Sequence, residues 1–209
     1  DQRFVGKTTI LGSGYGMGAV RFKEQLASFG FEMGIEEARR VINVYRSANF
    51  SITTLWLDAG YMLEQMVQGY HTKLGCEGVL EVVPEENAVR LPSGLLLRYE
   101  GLSGQQGERG IQYAYQTRKG PKKIYGGKVV ENVCQAIARC IMGEQMLNIA
   151  KQYPVILTVH DSVLCCVKDK LVPEAVEYIE SCMRATPQWA KGLPIDCESG
   201  TGKSYGACE

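Results

Sequence analysis

A short polar turn between two apolar runs is the feature that most constrains the fold of this chain. Pro154 to Val159 (PVILTV) and Val163 to Val167 (VLCCV) are rich in β-branched residues, and HDS at positions 160–162 separates them. This pattern predicts a two-stranded hairpin. Its tip presents Asp161, whose carboxylate suits a hard cation such as Mg²⁺, although an aspartate at a turn is more often only a turn former.

A first helix is predicted from residues that recur every four positions. Arg3, Lys7, Leu11, Tyr15 (beside Gly14) and Gly18 share one stripe, which is roughly 18 Å long at about 1.5 Å per residue. An arginine can fork onto terminal phosphate oxygens, a lysine can place a charge on an inner phosphate, and an aromatic ring can stack on a base. The stripe therefore matches a nucleoside triphosphate, but its spacing also fits an exposed helix face with two ordinary cations.

The chain also contains two glycine-lysine pairs, at Gly6 and at Gly202, of the kind found in phosphate-binding loops. Such a loop needs another glycine at a fixed position before the pair, and this position holds Asp1 in the first case and Cys197 in the second. The glycines at 12, 14, 16 and 18 alternate and follow no apolar strand, so they also miss the dinucleotide-binding pattern. A P-loop nucleotide switch is therefore disfavoured.

The rest of the chain predicts an α+β fold. Apolar residues recur at helical spacing in residues 35–45, 52–66, 130–141 and 175–183, with Ser51 as the expected cap of the second of these helices. Strand-like runs surround a Pro-Ser-Gly turn between Gly78 and Tyr99. Together with the hairpin around Asp161, these elements combine helices with antiparallel strands.

Residues 109–130 form a basic stretch without any acidic residue. Its cations and interleaved tyrosines are Arg109, Arg118, Lys119, Lys122, Lys123 and Lys128, with Tyr113, Tyr115 and Tyr125. Phosphate contacts come from lysine and arginine and do not depend on base sequence. The stretch therefore suits a track along a DNA backbone, and a solvated loop is the alternative.

Composition sets few further bounds on function. Lysine plus arginine equals aspartate plus glutamate at 23 each, so net charge indicates no polyanionic partner. The eight cysteines show no zinc-site or disulfide-scaffold spacing, which favours reduced thiols in the cytoplasm. No apolar run approaches the roughly 18 residues of a membrane span, so we expect no membrane association.

Three segments, taken in order, resemble motifs of family A DNA polymerases, the group of bacterial polymerase I and phage replicative enzymes. The Arg3-x3-Lys7-x7-Tyr15-Gly16 pattern resembles the fingers helix, Ile124 to Met142 resembles the helix beside the primer-template, and TVHDSVLCCV resembles the metal-binding palm hairpin. The resemblance covers nearly the whole chain. It implies part of a polymerase right hand, with helical fingers at 1–110, a hairpin insertion at about 78–99, and an antiparallel palm at 111–209.

The resemblance further implies a DNA-directed DNA polymerase acting in DNA replication, which adds dNTPs to a primer 3′-hydroxyl with two Mg²⁺ ions. It implies that Asp161 binds metal and that Lys7 donates a proton to pyrophosphate. Residues implied to bind the dNTP are Arg3, Lys7, Leu11, Tyr15 and Gly16. Residues implied to contact primer-template DNA are Gln135, Asn132, His160, Arg139 and Lys128. Such a protein is expected in the cytoplasm, that of the host if a phage encodes it.

The chain departs from the family pattern at three points. The family's first metal-binding Asp lies upstream of the fingers helix, and nothing before Arg3 can supply it. We therefore expect a fragment or a split enzyme completed by an upstream polypeptide; the alternative is a DNA-binding chain without catalysis of its own. Ser162 stands where Glu is usual, and Glu131 stands where polymerase I has Asn, although Asn132 adjoins it.

Leu11 generates a first testable prediction, because the family commonly has Phe or Tyr at this position, beside the incoming sugar. A leucine has no phenolic hydroxyl, so we expect discrimination against dideoxynucleotides, and we expect Leu11→Tyr to relax it. The measurement is the ratio of dNTP to ddNTP incorporation by both forms of a complete enzyme. Equal ratios before and after the substitution would contradict the prediction.

Overall fold

The computed structural model of the chain describes residues 2–75, 78–107 and 110–208. The chain divides into two compact units, Asp1–Gln135 and Ala136–Glu209. The described helices are α1 (Gln2–Ser13), α2 (Ala19–Ser28), α3 (Ile35–Ala48), α4 (Phe50–Gln68), α5 (Gly126–Ile149) and α6 (Val172–Arg184). The described strands are β1 (Lys73–Leu74), β2 (Leu80–Val83), β3 (Ala88–Arg90), β4 (Leu96–Arg98), β5 (Ser103–Gly107), β6 (Gly110–Thr117), β7 (Gly120–Ile124), β8 (Val155–Val159) and β9 (Ser162–Cys165).

Helices α1, α2 and α3 share one apolar core in the first unit. Phe22 and Leu26 of α2 and Ala38 and Ile42 of α3 are buried. Phe4 of α1 packs against this cluster and also contacts the rings of two phenylalanines after α2, at positions 29 and 31. The apolar stripe predicted for α3 therefore faces the core, as amphipathic periodicity requires.

Helix α4 begins at Phe50, so the prediction that Ser51 caps it is wrong. The residue before the helix is Asn49, whose side-chain amide donates to the Tyr45 carbonyl oxygen at the end of α3 instead of capping α4. The predicted inward face is confirmed, because Ala59, Met62 and Met66 are buried.

Strands β1 to β4 form a four-stranded antiparallel sheet in sequence order. Val82 and Val89 lie opposite each other in the sheet and are fully buried. The connection between β3 and β4 contains Gly94 at φ 83°, a left-handed conformation that favours glycine. The predicted strands between 78 and 99 are thus present, and β1 extends the sheet beyond them.

Strands β5, β6 and β7 form a second antiparallel sheet in the first unit. For residues 109–130 the sequence predicts a DNA backbone track or a solvated loop, and most of the described part of this stretch is strand or helix. Arg109 lies outside the described residues. The predicted border between fingers and palm, at 110/111, lies in β6, within the first unit. The assignment of fingers and palm stays a prediction.

Helix α5 begins with a glycine pair that lies directly against other backbone. A methyl group at Gly126 would lie 1.8 Å from the Trp56 carbonyl oxygen and 2.9 Å from the Gly60 nitrogen. A methyl group at Gly127 would lie 2.7 Å from the Tyr15 carbonyl oxygen. No side chain fits at either position, so the two glycines allow α5 to begin against α4 and the end of α1.

The second unit is built on the β8-β9 hairpin, which confirms the hairpin predicted from the sequence. Val155, Val163 and Cys165 of the hairpin pack on a core formed by Ile149, Tyr153, Ala175 and Cys182. Trp189, after α6, donates its indole N–H to Glu144 Oε1 at 2.8 Å. Among the described residues, no helix is both long and apolar enough to cross a membrane.

Gly126 and Gly143 offer a matched pair of substitutions within α5. We expect Gly126→Ala to lower the free energy of unfolding by about 1–3 kcal/mol, because overpacking against backbone forces the helix to shift. Gly143→Ala should raise it by about 0.5–1 kcal/mol, because a methyl group there meets nothing within 4 Å. Urea denaturation of both variants and the wild type measures the difference, and coinciding curves would contradict the tight contact at Gly126.

Candidate functional site

Arg3, Lys7 and Leu11 lie on the exposed face of α1, while Thr8 and Ser13 are buried on the other side. Neither cation forms a hydrogen bond or ion pair with any residue that the structure describes. Leu11 is 58% exposed, so it does not serve mainly to pack the helix. The three side chains remain available to a ligand over roughly 12 Å of helix, at about 1.5 Å per residue.

The predicted stripe is wrong at its far end, because α1 ends before Tyr15. The Gly16 amide donates to the Ser13 carbonyl oxygen at 3.1 Å, and the Met17 amide donates to that of Gly12 at 3.2 Å. With Gly16 at φ 84°, these two bonds form the Schellman ending of a helix. A glycine at position 16 is therefore explained by the left-handed backbone of this helix ending. Gly18 lies beyond the end of α1.

Two side chains that the sequence did not indicate hold this turn. The Trp56 indole N–H donates to the Gly14 carbonyl oxygen at 2.9 Å, and the Arg46 guanidinium donates to that of Met17 at 3.4 Å. The guanidinium also lies 5.8 Å from the centre of the Trp56 ring, within cation-π range. Helices α3 and α4 therefore fix the turn that carries Tyr15 and Gly16.

Tyr15 lies partly buried beside the first half of α5. Burial raises the pKa of its phenol, and Cys134, Glu131 and Tyr45 nearby raise it further. The phenol therefore stays protonated at neutral pH and can donate a hydrogen bond. The structure brings Tyr15 together with the helix that carries the predicted DNA contacts Lys128, Asn132 and Gln135.

The predicted DNA contacts on α5 differ in accessibility. Gln135 is exposed, whereas the Asn132 amide donates to the Tyr99 phenol at 3.4 Å. Burial raises the pKa of Tyr99 to about 12, against the opposing effect of that hydrogen bond. Lys128 Nζ lies 2.7 Å from both carboxylate oxygens of Glu131, so a phosphate would have to compete with this partly buried ion pair.

The hairpin tip in the second unit presents Asp161 to solvent. Val159 pairs with Ser162, so the connection is only His160 and Asp161, with His160 in the left-handed region at φ 53°. The Ser162 hydroxyl donates to the Val159 carbonyl oxygen at 2.8 Å and closes the turn. Asp161 has no hydrogen-bond or ion-pair partner within the described parts of the chain, so its carboxylate is free to bind a ligand.

Asp161 can supply one of the several oxygen ligands that a magnesium ion requires. No group of three or more His, Cys, Asp or Glu residues is suited to a metal among residues 2–75, 78–107 and 110–208. Magnesium is commonly held by one or two carboxylates together with substrate phosphates and waters. The exposed carboxylate of Asp161 fits the role of one such ligand.

The predicted site residues are divided between the two units. Arg3, Lys7, Leu11, Tyr15, Gly16, Lys128, Asn132 and Gln135 all belong to the first unit. Arg139, His160 and Asp161 are exposed residues of the second unit. That Asp161 meets Lys7 and Arg3 around one triphosphate stays a prediction.

Comparison with known proteins supports one part of the sequence interpretation. The chain is similar to the DNA polymerase of Bacillus phage SP02, with 28% identity over 207 residues that cover 92% of this chain and 31% of the relative. The chain therefore spans about a third of the relative's length. No protein-family model and no solved structure matches the chain. The similarity confirms the resemblance to a phage DNA polymerase, whereas membership of family A stays a prediction.

Proposed function

We propose that the chain is the C-terminal polymerase-domain portion of a family A DNA-directed DNA polymerase, which adds dNTPs to a primer 3′-hydroxyl by two-metal nucleotidyl transfer. One observation carries the proposal: Arg3 and Lys7 are exposed and free on α1, and the turn that ends this helix lies against the start of α5. The similarity of nearly the whole chain to a phage DNA polymerase supports it.

The cations of α1 would neutralise the triphosphate of the incoming dNTP. Arg3 would form a bidentate contact with terminal phosphate oxygens, and Lys7 would hold an inner phosphate. In the reaction, the primer 3′-hydroxyl would lose its proton to solvent as its oxygen bonds to the α-phosphorus. The bond from this phosphorus to the bridging oxygen would break, and Lys7 would give a proton to the departing pyrophosphate. Tyr15 and Gly16 would bound the nascent base pair at the end of the helix.

Asp161 would be a metal ligand contributed by this chain, and a second carboxylate would come from a polypeptide outside these 209 residues. A Mg²⁺ ion held by Asp161 together with the triphosphate would supply charge stabilisation to the transfer. The two-residue turn closed by Ser162 limits where the Asp161 carboxylate can move. His160 would position the primer terminus from the same turn.

Contacts to the primer-template would come from α5. Gln135 is exposed and can reach minor-groove acceptors that all correct base pairs share. Asn132 would act through its hydrogen bond with Tyr99, and Lys128 and Arg139 would contact phosphates. Because the described residues contain no group of three or more His, Cys, Asp or Glu side chains suited to a metal, a DNA-binding chain that needs a partner for catalysis is the second candidate.

Lys7→Ala tests the proposal through nucleotide binding. On a dideoxy-terminated primer-template with Mg²⁺, the dNTP complementary to the next template base should tighten the complex with the wild-type chain, and the other three should not. Loss of the charged contact should weaken this dNTP effect about tenfold or more, since hydrogen bonds to charged groups contribute about 1.5–3 kcal/mol. Fluorescence anisotropy of labelled DNA measures it.

Lys23→Ala provides the matched control, because Lys23 is an exposed cation of the neighbouring helix α2. It should leave the dNTP response unchanged. If no dNTP discriminates in the wild-type chain, either alone or after addition of the upstream polypeptide, the polymerase proposal fails. Primer extension by the chain alone, and after addition of an upstream polypeptide, separates a polymerase from the non-catalytic candidate.

Ser162→Glu is expected to lower the Mg²⁺ concentration that a complete enzyme needs for half-maximal primer extension, because it adds a negative charge beside Asp161. Ser162→Ala is the control, since it also removes the hydroxyl that bonds to Val159 but adds no charge. The measurement is a Mg²⁺ titration of the extension rate. Superimposable curves for Ser162→Glu and the wild type would reject the idea.

A further inference from the structure

The sheet of β5, β6 and β7 presents a cationic surface that the proposed active site does not use. Arg118, Lys119, Lys122 and Lys123 are all exposed, on β7 and on the turn before it. Among residues 103–107 and 110–124, which the structure describes, no carboxylate is present. None of the four cations forms an ion pair within the described residues, so their charge is not locally compensated.

The two faces of this sheet differ in chemistry. Tyr113 is paired with the buried Ile124, and the Tyr115 ring contacts the buried Tyr99 at 5.3 Å, so the tyrosines of β6 face the protein interior. Lys122 is paired with Tyr115 and therefore belongs to the tyrosine face. Alternate residues of a strand point to opposite faces. Gln112 is on the other, open face, where its amide oxygen accepts a hydrogen bond from Lys123 at 3.0 Å.

Gln105 is paired with Gln112 and extends the open face across β5. This face therefore offers amide groups and a lysine to solvent and no aromatic ring from β6. Amide and ammonium groups donate hydrogen bonds to phosphate oxygens without reading base sequence. Proteins that bind single strands rely on aromatic rings that stack on bases. The open face consequently suits the phosphodiester backbone of a duplex better than a single strand.

Strand β7 leads directly to the turn that carries Tyr15 and Gly16. Tyr125, the residue after β7, is so close to Gly16 that a methyl group on this glycine would lie 3.5 Å from Tyr125 Cε2. At about 3.3 Å per residue, Lys123 lies roughly 7 Å and Lys119 at most about 20 Å along the chain from Tyr125. The cations thus line a path that starts at the proposed nucleotide site.

We propose that β7, its preceding turn and the open face of the β5-β7 sheet bind the phosphodiester backbone of double-stranded DNA that leads away from the proposed nucleotide site. The choice of DNA as the partner rests on the proposed function. The binding is independent of base sequence and depends on salt, because it releases counterions from the phosphates.

Lysine on an edge strand also has a role without any ligand, because it discourages edge-to-edge pairing of sheets. Strand β7 forms an edge of the described three-stranded sheet, so this role accounts for its lysines if no DNA binds. If the surface binds DNA, removal of the charges lowers the affinity for duplex DNA. If the lysines only protect the sheet edge, removal of the charges changes only self-association of the protein.

The test replaces three cations of the surface in the whole 209-residue chain, as Arg118→Gln, Lys119→Gln and Lys123→Gln together, which we call the β7 variant. The control variant combines Arg21→Gln, Lys23→Gln and Arg40→Gln, which removes the same charge from exposed positions of α2 and α3. Anisotropy of a labelled blunt duplex and of a single strand, without dNTP, is measured across a range of salt concentrations. Circular dichroism verifies the fold of both variants.

The β7 variant should bind the duplex more weakly than the control variant, and its slope of log affinity against log salt should be shallower by about 2–3, at about 0.9 per lost phosphate contact. An equal effect of the two variants on duplex binding overturns the proposal, as does a loss confined to the single strand. If the dNTP response is retained and the β7 variant binds the duplex as well as the control variant does, the proposed surface is refuted and the proposed function is not. A missing dNTP response together with a loss of duplex binding specific to the β7 variant refutes the proposed function but supports the surface.

Discussion

The first unit depends on contacts between backbones that no side chain separates. Helix α5 begins where Gly126 lies against the backbone of α4 and Gly127 lies against the Tyr15 carbonyl group. This contact fixes the end of β7 and the position of Tyr125, and it supports the turn after α1. A shift of α5 by even one methyl group would therefore move the turn, the basic strand and the predicted DNA contacts together.

Charge is distributed unevenly in a chain whose net charge is zero. Arg90 of β3 forms an ion pair with Glu81 of β2, and Arg98 of β4 forms one with Glu86 in the connection between β2 and β3. Such exposed ion pairs contribute little to stability. On α1 and β7 the exposed cations have no ion-pair partner among the described residues. Uncompensated cations on two elements of the first unit are what a polyanionic ligand would require, and the net charge of the chain does not reveal them.

The sequence predicted those helices and strands whose formation depends mainly on the pattern of their own residues. The hairpin around Asp161 and the inward faces of α3 and α4 follow from local periodicity, and burial of Ala38, Ala59 and Met62 agrees with it. Strands β5 to β7 escaped prediction, because SGQQG and GPKKI contain almost no β-branched residues and their pairing is set by partners across the sheet. The end of α1 was missed because it depends on where Gly16 adopts a left-handed conformation.

The candidate site was predictable only in part for a related reason. Arg3, Lys7 and Leu11 share an exposed helix face, which spacing alone reveals. The contact of Trp56 with Gly14 joins residues 42 positions apart, and no local pattern indicates it. Arg3 and Lys7 belong to the first unit and Asp161 belongs to the second. The prediction that they meet around one triphosphate rests only on the resemblance to DNA polymerases.

The tryptophans have a practical consequence for work in solution. The chain has two, and each donates its indole N–H to a different part of the fold: Trp56 to Gly14 in the first unit and Trp189 to Glu144 in the second. Indole emission responds to the loss of such a bond. Each unit therefore carries its own intrinsic fluorophore, and replacing one tryptophan by phenylalanine leaves an optical reporter of the other unit.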